Sequence, residues 1–338
     1  MQVAIWHNNS DIRIQAVDTP APGPEEMLVK VHACGICGSD IVEWYRLPRA
    51  PLAPGHEIGA EVVRVGSLQT KFQVGDRVFI APKVPCLKCD YCRAGKYPLC
   101  TEVQERLPGG FAEYILVPKV LIERGAYLLP ECLSFEESTF IEPLACVCHA
   151  QRLAGIEQRH TVMVMGCGMS GLLHVKLAKA RGCRVIATDI NPKKLALASQ
   201  NGADIALLAN GDVPGEVVRQ NGKKADVVIV CASPLSVINQ AWASVDKGGT
   251  VAFFAVPSPE KQVTLPLNDF WRKEIRILTS YYCGPPDIAH AMSLLASRTV
   301  EIGDMITHRL PLSRIQEGFQ LVLSGEDSLK VIIRPHDL

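Results

Sequence analysis

Six short runs of β-branched or otherwise apolar residues, at 162–165, 185–188, 205–208, 227–231, 251–255 and 275–279, alternate with helical patterns through the second half of the chain. Runs that are apolar throughout belong to strands covered on both faces, so this half reads as a doubly wound parallel sheet of six strands. Helical patterns at 171–181 and 192–200 supply the cover, the second with Asn191 as N-cap and Pro192 at the first helical position. Before residue 155 the texture differs. Short β-like runs at 28–33, 58–65, 77–81 and 112–117 are divided by Gly- and Pro-rich turns without regular helices between them, the texture of an irregular β-barrel. The patterns at 288–295, 313–323 and 330–333 do not extend the alternation and are expected to return to the first domain. The expected division is therefore 1–154 with 286–338, and 155–285. A chain of 338 residues has room for two such cores.

Thirty-five Lys and Arg balance thirty-five Asp and Glu, so no net field favours nucleic acid or an anionic membrane, and a small-molecule partner is expected. The stretch 161–175 is the longest near-apolar one. Its glycines, serine and His174 leave it short of the roughly 18 apolar residues that a spanning helix needs. Residues 1–15 read as a strand interrupted by Asn8, Asn9, Ser10 and Asp11, with neither a basic nor an apolar export region. Thirteen cysteines, an odd number, then suit the reducing cytoplasm and metal or catalytic use better than a disulfide framework.

Cys86, Cys89, Cys92 and Cys100 form a C-x2-C-x2-C-x7-C run in one loop, where four thiolates can close around a tetrahedral ion. Zinc in a structural role fits best, with an iron–sulfur cluster as the rival for such short spacings. A second set is Cys37, His56 and Glu142. Thiolate, imidazole and carboxylate together make a three-ligand zinc site with one position left for water or substrate, which is the composition of a catalytic site. Singly, each residue is equally a buried thiol, a structural histidine or a helix start. Cys146 and Cys148, close by, read as thiols buried along a helix, and Arg46 and Arg49, beside Trp44 and Tyr45, read as a solvated loop in preference to contacts for an anionic substrate group.

The third set is Gly166-Cys167-Gly168-Met169-Ser170-Gly171, between a strand and a helix. Glycines there allow a tight turn and close approach to a pyrophosphate, the helix N-terminus offers N–H groups to it, and Asp189 ends the next strand, where a ribose-binding carboxylate belongs. Gly166, Gly168, Met169, Ser170, Gly171 and Asp189 are candidate cofactor contacts. Lys193 and Lys194 follow at a helix start, solvated or close enough to offset repulsion of a 2′-phosphate, and Lys194 joins the candidates.

These residues, with Gly35 to Asp40, Pro54-Gly55-His56-Glu57, Val74 to Val78, Gly109 to Tyr114, Glu142-Pro143-Leu144 and Lys247-Gly248-Gly249, resemble the zinc-dependent medium-chain dehydrogenases nearly end to end, in the sorbitol, threonine and polyol branch. The resemblance implies a GroES-like β-barrel catalytic domain and a Rossmann domain. It also implies two zinc ions per chain, one catalytic on Cys37, His56 and Glu142 and one structural on the four-cysteine loop, and a homodimer or homotetramer. Glu57 matches a carboxylate beside the metal that joins or exchanges in its coordination, and Ser39 the hydroxyl that takes the substrate's proton. Val42 stands where relatives commonly carry a histidine, so the proton is expected to leave through the cofactor ribose, ordered water or Glu43. The reaction implied is reversible hydride transfer from a secondary alcohol to NAD. The alternatives are an NADP-linked carbonyl reductase and a zinc-stabilised dinucleotide-binding protein without turnover.

Overall fold

The computed structural model describes residues 1–337. The chain divides into two compact units, Met1–Ala145 together with the residues from Cys283 onward, and Cys146–Tyr282.

In the second unit the six apolar runs are six parallel strands, ordered Ile205–Leu208, Arg184–Asp189, Thr161–Met165, Ala225–Val230, Val245–Phe253 and Arg276–Thr279. This is the Rossmann order, whose direction reverses beside Thr161–Met165, so the carboxyl end of that strand faces the crevice where such sheets bind ligands. One face buries Met163, Met165, Ile186, Val228, Val230 and Val251, each side chain contributing about 1.5–3 kcal/mol on leaving water. Asn191 caps Pro192–Gln200 as its sequence position predicts, its Oδ1 accepting from the Lys193 N–H at 2.9 Å. The fifth strand begins earlier than its apolar run, because Lys247-Gly248-Gly249, with Gly248 at φ +71°, is carried into the ladder with a register shift.

The first unit is built on a sheet ordered Ile306–Pro311, Lys330–Arg334, Met27–Gly35, Glu57–Val65, Arg77–Ile80 and Ala126–Leu128, with Tyr114–Val117 also paired to Met27–Gly35. The interrupted amino-terminal strand is a hairpin, Gln2–Asn8 against Asp11–Ala16. Trp6, Val29, Val31, Phe111 and Phe319 lie in the core of this unit. The α-helices between the β-like runs of this half are only four residues long, Glu43–Arg46 and Asp90–Arg93, while Lys119–Gly125 and the 13-residue Ile141–Leu153 follow the last run. Leu144, Ala145, Val147, Cys148 and Ala150 are all buried on the longer one, so it shows no amphipathic period, and its Pro143 sits in the first turn, where proline is tolerated.

Candidate metal and cofactor sites

Antiparallel pairing places the end of one strand beside the start of its neighbour. Gly35, last in Met27–Gly35, pairs with Glu57, first in Glu57–Val65, so Cys37 just after the first strand and His56 just before the second become neighbours. The Cys37 thiol, the His56 imidazole and the Glu57 carboxylate have ligating atoms within 4.8 Å of one another. Burial, and then the nearby Glu57 charge, push the Cys37 thiol up, while His56 opposes this. Burial pulls His56 down, but the Asp40 carboxylate and Cys37 outweigh it and raise the imidazole well above its usual range. Thiol and imidazole thus compete for a proton in a site whose soft and borderline donors are a zinc donor set.

Glu142 stands outside that trio. It is buried near the start of Ile141–Leu153, close enough to Cys37 for its charge to raise the thiol's pKa, and its carboxylate lies within 4.8 Å of the Cys283 thiol. Glu57 is fully buried. One of its oxygens, Oε2, is ion-paired to Lys330 Nζ, and Lys330 also lies 5.0 Å from the Phe140 ring centroid. Oε1 has no hydrogen-bond partner among the described residues, which fits a carboxylate turned toward a cation. Gly35 makes this pairing possible: a Cβ there would stand 2.5 Å from Lys330 Cε and collide with the Glu57 carboxylate.

Three residues here were given no role by their sequence positions. Asp40 is buried and accepts from the Cys37 N–H at 3.1 Å through Oδ2, while Oδ1 lies 3.4 Å from His56 Nδ1. Burial works against its charge, but His56 and Arg46 hold the carboxyl below its ordinary range, so Asp40 orients the imidazole as an outer carboxylate does in metal sites. Lys330 reads as the opening of an apolar strand, and only its charge at that place hints at a buried partner. Arg46, expected in a solvated loop, is only 12% exposed in its side chain and bonds Asp40. Ser39 Oγ sits 3.4 Å from Cys37 Sγ, beside the site. Val42 offers no polar group there, and the Glu43 carboxylate is already engaged by the Asn9 N–H at 3.0 Å.

The four-cysteine loop is assembled in the same unit. Cys86 and Cys92 sulfurs are 3.9 Å apart and those of Cys89 and Cys100 4.0 Å, close to the roughly 3.8 Å separation that tetrahedral Zn–S bonds of about 2.3 Å require. Backbone N–H groups of Lys88 and Cys89 point at Cys86 Sγ, and that of Cys86 at Cys100 Sγ. Such donors, first the N–H of Cys92, bring the Cys89 thiol down to about 6, whereas burial pushes Cys92 up to about 12. Four sulfurs at this spacing suit a tetrahedral cation standing in place of the Cys92 proton.

In the second unit Gly166 has φ +97°, and a Cβ there would press on Cys231 and Ala232, while a Cβ on Gly171 would collide with the Gly166 carbonyl. Gly168, which starts the helix Met169–Ala180 without a side-chain cap, has open space where its Cβ would be. Backbone can be approached closely there, beside the N–H groups of Met169 and Ser170, which the first turn of a helix leaves without intrahelical partners, and this suits a pyrophosphate. Asp189 holds the turn: its Oδ2 accepts from the Cys167 N–H at 2.7 Å and its Oδ1 from the Asn191 N–H at 2.8 Å. Lys194 is half-buried near Cys167 and draws its thiol's pKa down against the upward effects of burial and Asp189.

Residues 23–125 match the family model of the alcohol dehydrogenase GroES-like domain, and residues 171–297 that of the zinc-binding dehydrogenases. Sorbitol dehydrogenase of Ovis aries is 32% identical over 98% of this chain and 95% of its own length, and that of Bacillus subtilis 32% identical over 99% and 98%. A solved structure from Sinorhizobium meliloti, described as a zinc-binding dehydrogenase bound to NADP, superposes with a TM-score of 0.88 at 32% identity over 99% of each chain. No helix among the described residues is long and apolar enough to cross a membrane. With a Rossmann sheet, a barrel-type unit carrying two clusters of metal-ligating side chains, and close to a third of its residues shared with sorbitol dehydrogenases along nearly all its length, the chain belongs to the zinc-dependent medium-chain dehydrogenases, in their polyol branch.

Proposed function

We propose that the protein oxidises a secondary hydroxyl of a polyol, cyclitol or sugar-derived alcohol to the ketone with NAD, and runs the reduction in reverse, using one catalytic and one structural zinc per chain. The observation that carries the reading is Ser39 Oγ at 3.4 Å from Cys37 Sγ, beside His56 and Glu57: a hydroxyl able to accept and donate a proton is set against a ligand trio of the kind that leaves a fourth position for oxygen. When bound, zinc supplies Lewis acidity to the substrate oxygen, and the nicotinamide supplies the hydride acceptor. Cys37 and His56 would hold that ion with Glu142 or Glu57 as the carboxylate ligand, Asp40 would keep the imidazole aligned, and Ser39 would receive the alcohol's proton. Cys86, Cys89, Cys92 and Cys100 would hold the second ion and pin their loop.

Asp189 supports NAD, because each of its oxygens has one backbone donor and keeps a lone pair for a ribose hydroxyl, whereas a 2′-phosphate would meet its charge. An NADP-linked reduction is the second reading, favoured by half-buried Lys194 and by the NADP in the Sinorhizobium meliloti protein. Turnover of polyols, cyclitols, sugar acids and threonine, followed by nicotinamide absorbance with each cofactor, tests both. We expect kcat/KM with NAD to exceed that with NADP by tenfold or more on the order of one lost charge contact; the reverse ratio would transfer the role to Lys194, and no turnover at all would leave a binding protein.

The same reading includes a homodimer or homotetramer, working in the reducing cytoplasm that suits thirteen free cysteines. Arg276–Thr279 is an edge strand with Ile277 exposed, and Leu265, Leu267 and Trp271 are exposed in the preceding segment, an unprotected edge of the kind that pairs with another chain. Light scattering should read a multiple of the 36.9 kDa chain, and a monomer at micromolar concentration would refute this.

A further inference from the structure

We propose that Arg46 is the positioning residue for the Ser39 hydroxyl, taking a place that no titratable side chain fills here. The inference rests on the dehydrogenase reading above. Arg46 ends the short helix Glu43–Arg46, and its guanidinium turns back over the preceding turn. Nε donates to the Ser39 carbonyl at 3.0 Å, and Nη2 donates both to Ser39 Oγ at 3.1 Å and to Asp40 Oδ1 at 2.7 Å. Asp40 in turn receives the Cys37 N–H and faces His56 Nδ1. A single planar cation therefore ties the backbone and hydroxyl of Ser39 to the carboxylate that orients His56.

The chemistry of the two groups explains what this does. A serine hydroxyl has one proton and two lone pairs. With one lone pair occupied by Nη2 and the proton donated to Cys37 Sγ, the other lone pair is left on the side where a substrate oxygen would have to meet it. Free rotation about the Cβ–Oγ bond is removed. Arginine does this without competing for the proton, since it does not deprotonate in proteins, and its fork reaches three acceptors that a lysine ammonium on the same stem would not span. Arg46 is not a receptor for an anionic substrate group, because Asp40 already neutralises it. Arg49, by contrast, is exposed and stacked on Tyr45 at 4.6 Å.

The test uses the zinc-loaded full-length enzyme with its best alcohol and cofactor. Arg46→Ala should lower kcat on the order of a hundredfold, the cost of misplacing a reacting group, with KM little changed and the zinc content of the parent retained. Millimolar guanidinium should restore part of that kcat. It should restore none in Ser39→Ala, and the double variant should be no slower than Ser39→Ala alone, because Arg46 acts through the hydroxyl. Arg46→Lys, which fills the space and keeps the charge, should stay at least about tenfold slow, and it carries the test should the alanine variant not fold. Full kcat in either variant, independent and additive losses in the double variant, or loss of zinc without guanidinium rescue would overturn the proposal. An inactive parent enzyme would instead defeat the dehydrogenase reading on which it rests, a result distinct from an active parent with an active Arg46→Ala.

Discussion

Brief exposure to a chelator should abolish alcohol oxidation while removing about one zinc per chain and leaving the fold intact. The two donor sets differ in what they offer a competing ligand. Cys86, Cys89, Cys92 and Cys100 would surround an ion with four sulfurs already at near-tetrahedral spacing and supported by backbone N–H groups, leaving no coordination position open to the chelator. Cys37 and His56 sit beside a position that substrate must reach, and the His56 side chain is 17% exposed. Metal analysis, activity and circular dichroism on the same samples check the order of loss. The expectation fails if the loop metal leaves first, or if the enzyme works at full rate without metal.

Lys330→Met should lower the unfolding free energy by about 3–5 kcal/mol, the cost of leaving a buried carboxylate without its partner. Both side chains of the Lys330–Glu57 pair are 0% exposed, and Glu57 Oε1 has no hydrogen-bond partner among the described residues. Methionine fills the stem's space but leaves the charge alone beside Phe140. Removing both charges, in Lys330→Met with Glu57→Gln, should recover most of the loss, because a buried pair is worth much less than either half of it is costly. Urea unfolding of the two variants measures the difference, and a single variant within about 1 kcal/mol of the parent would mean that Glu57 does not depend on Lys330 for a partner.

The Rossmann half was legible in the sequence because its central strands, Thr161–Met165 above all, are buried on both faces and so appear as unbroken apolar runs, and because its glycines are required by contacts that leave no space for a Cβ at Gly171. The helix Ile141–Leu153 was legible only locally, from Glu142-Pro143 as a start and from Cys146 and Cys148, because a helix buried on nearly all sides has no periodicity that would give its length. Ligand candidates such as Cys37 and His56 were found from residue type and motif. Their supports were not. Asp40 acts through a carboxylate that closes a turn on Cys37 and reaches across to His56, Arg46 through a fork folded back over seven residues, and Lys330 through a pairing to Glu57. A charged residue looks solvated in a sequence until the strand or turn that covers it is known.

The sequence separation of 273 between Glu57 and Lys330 also sets an order of events during synthesis. A growing chain exposes Cys37, His56 and Glu57 early, and the strands that carry them pair locally. The cation that neutralises Glu57 arrives only with Lys330–Arg334, which docks against Met27–Gly35 after the whole second unit has left the ribosome. Until then the barrel-type unit has an unneutralised carboxylate in what will be its interior, and closure must wait for a contact of very long range. A chain cut before residue 330 therefore carries the candidate ligands Cys37, His56 and Glu142 without the strand Lys330–Arg334 and the cation that pairs with Glu57.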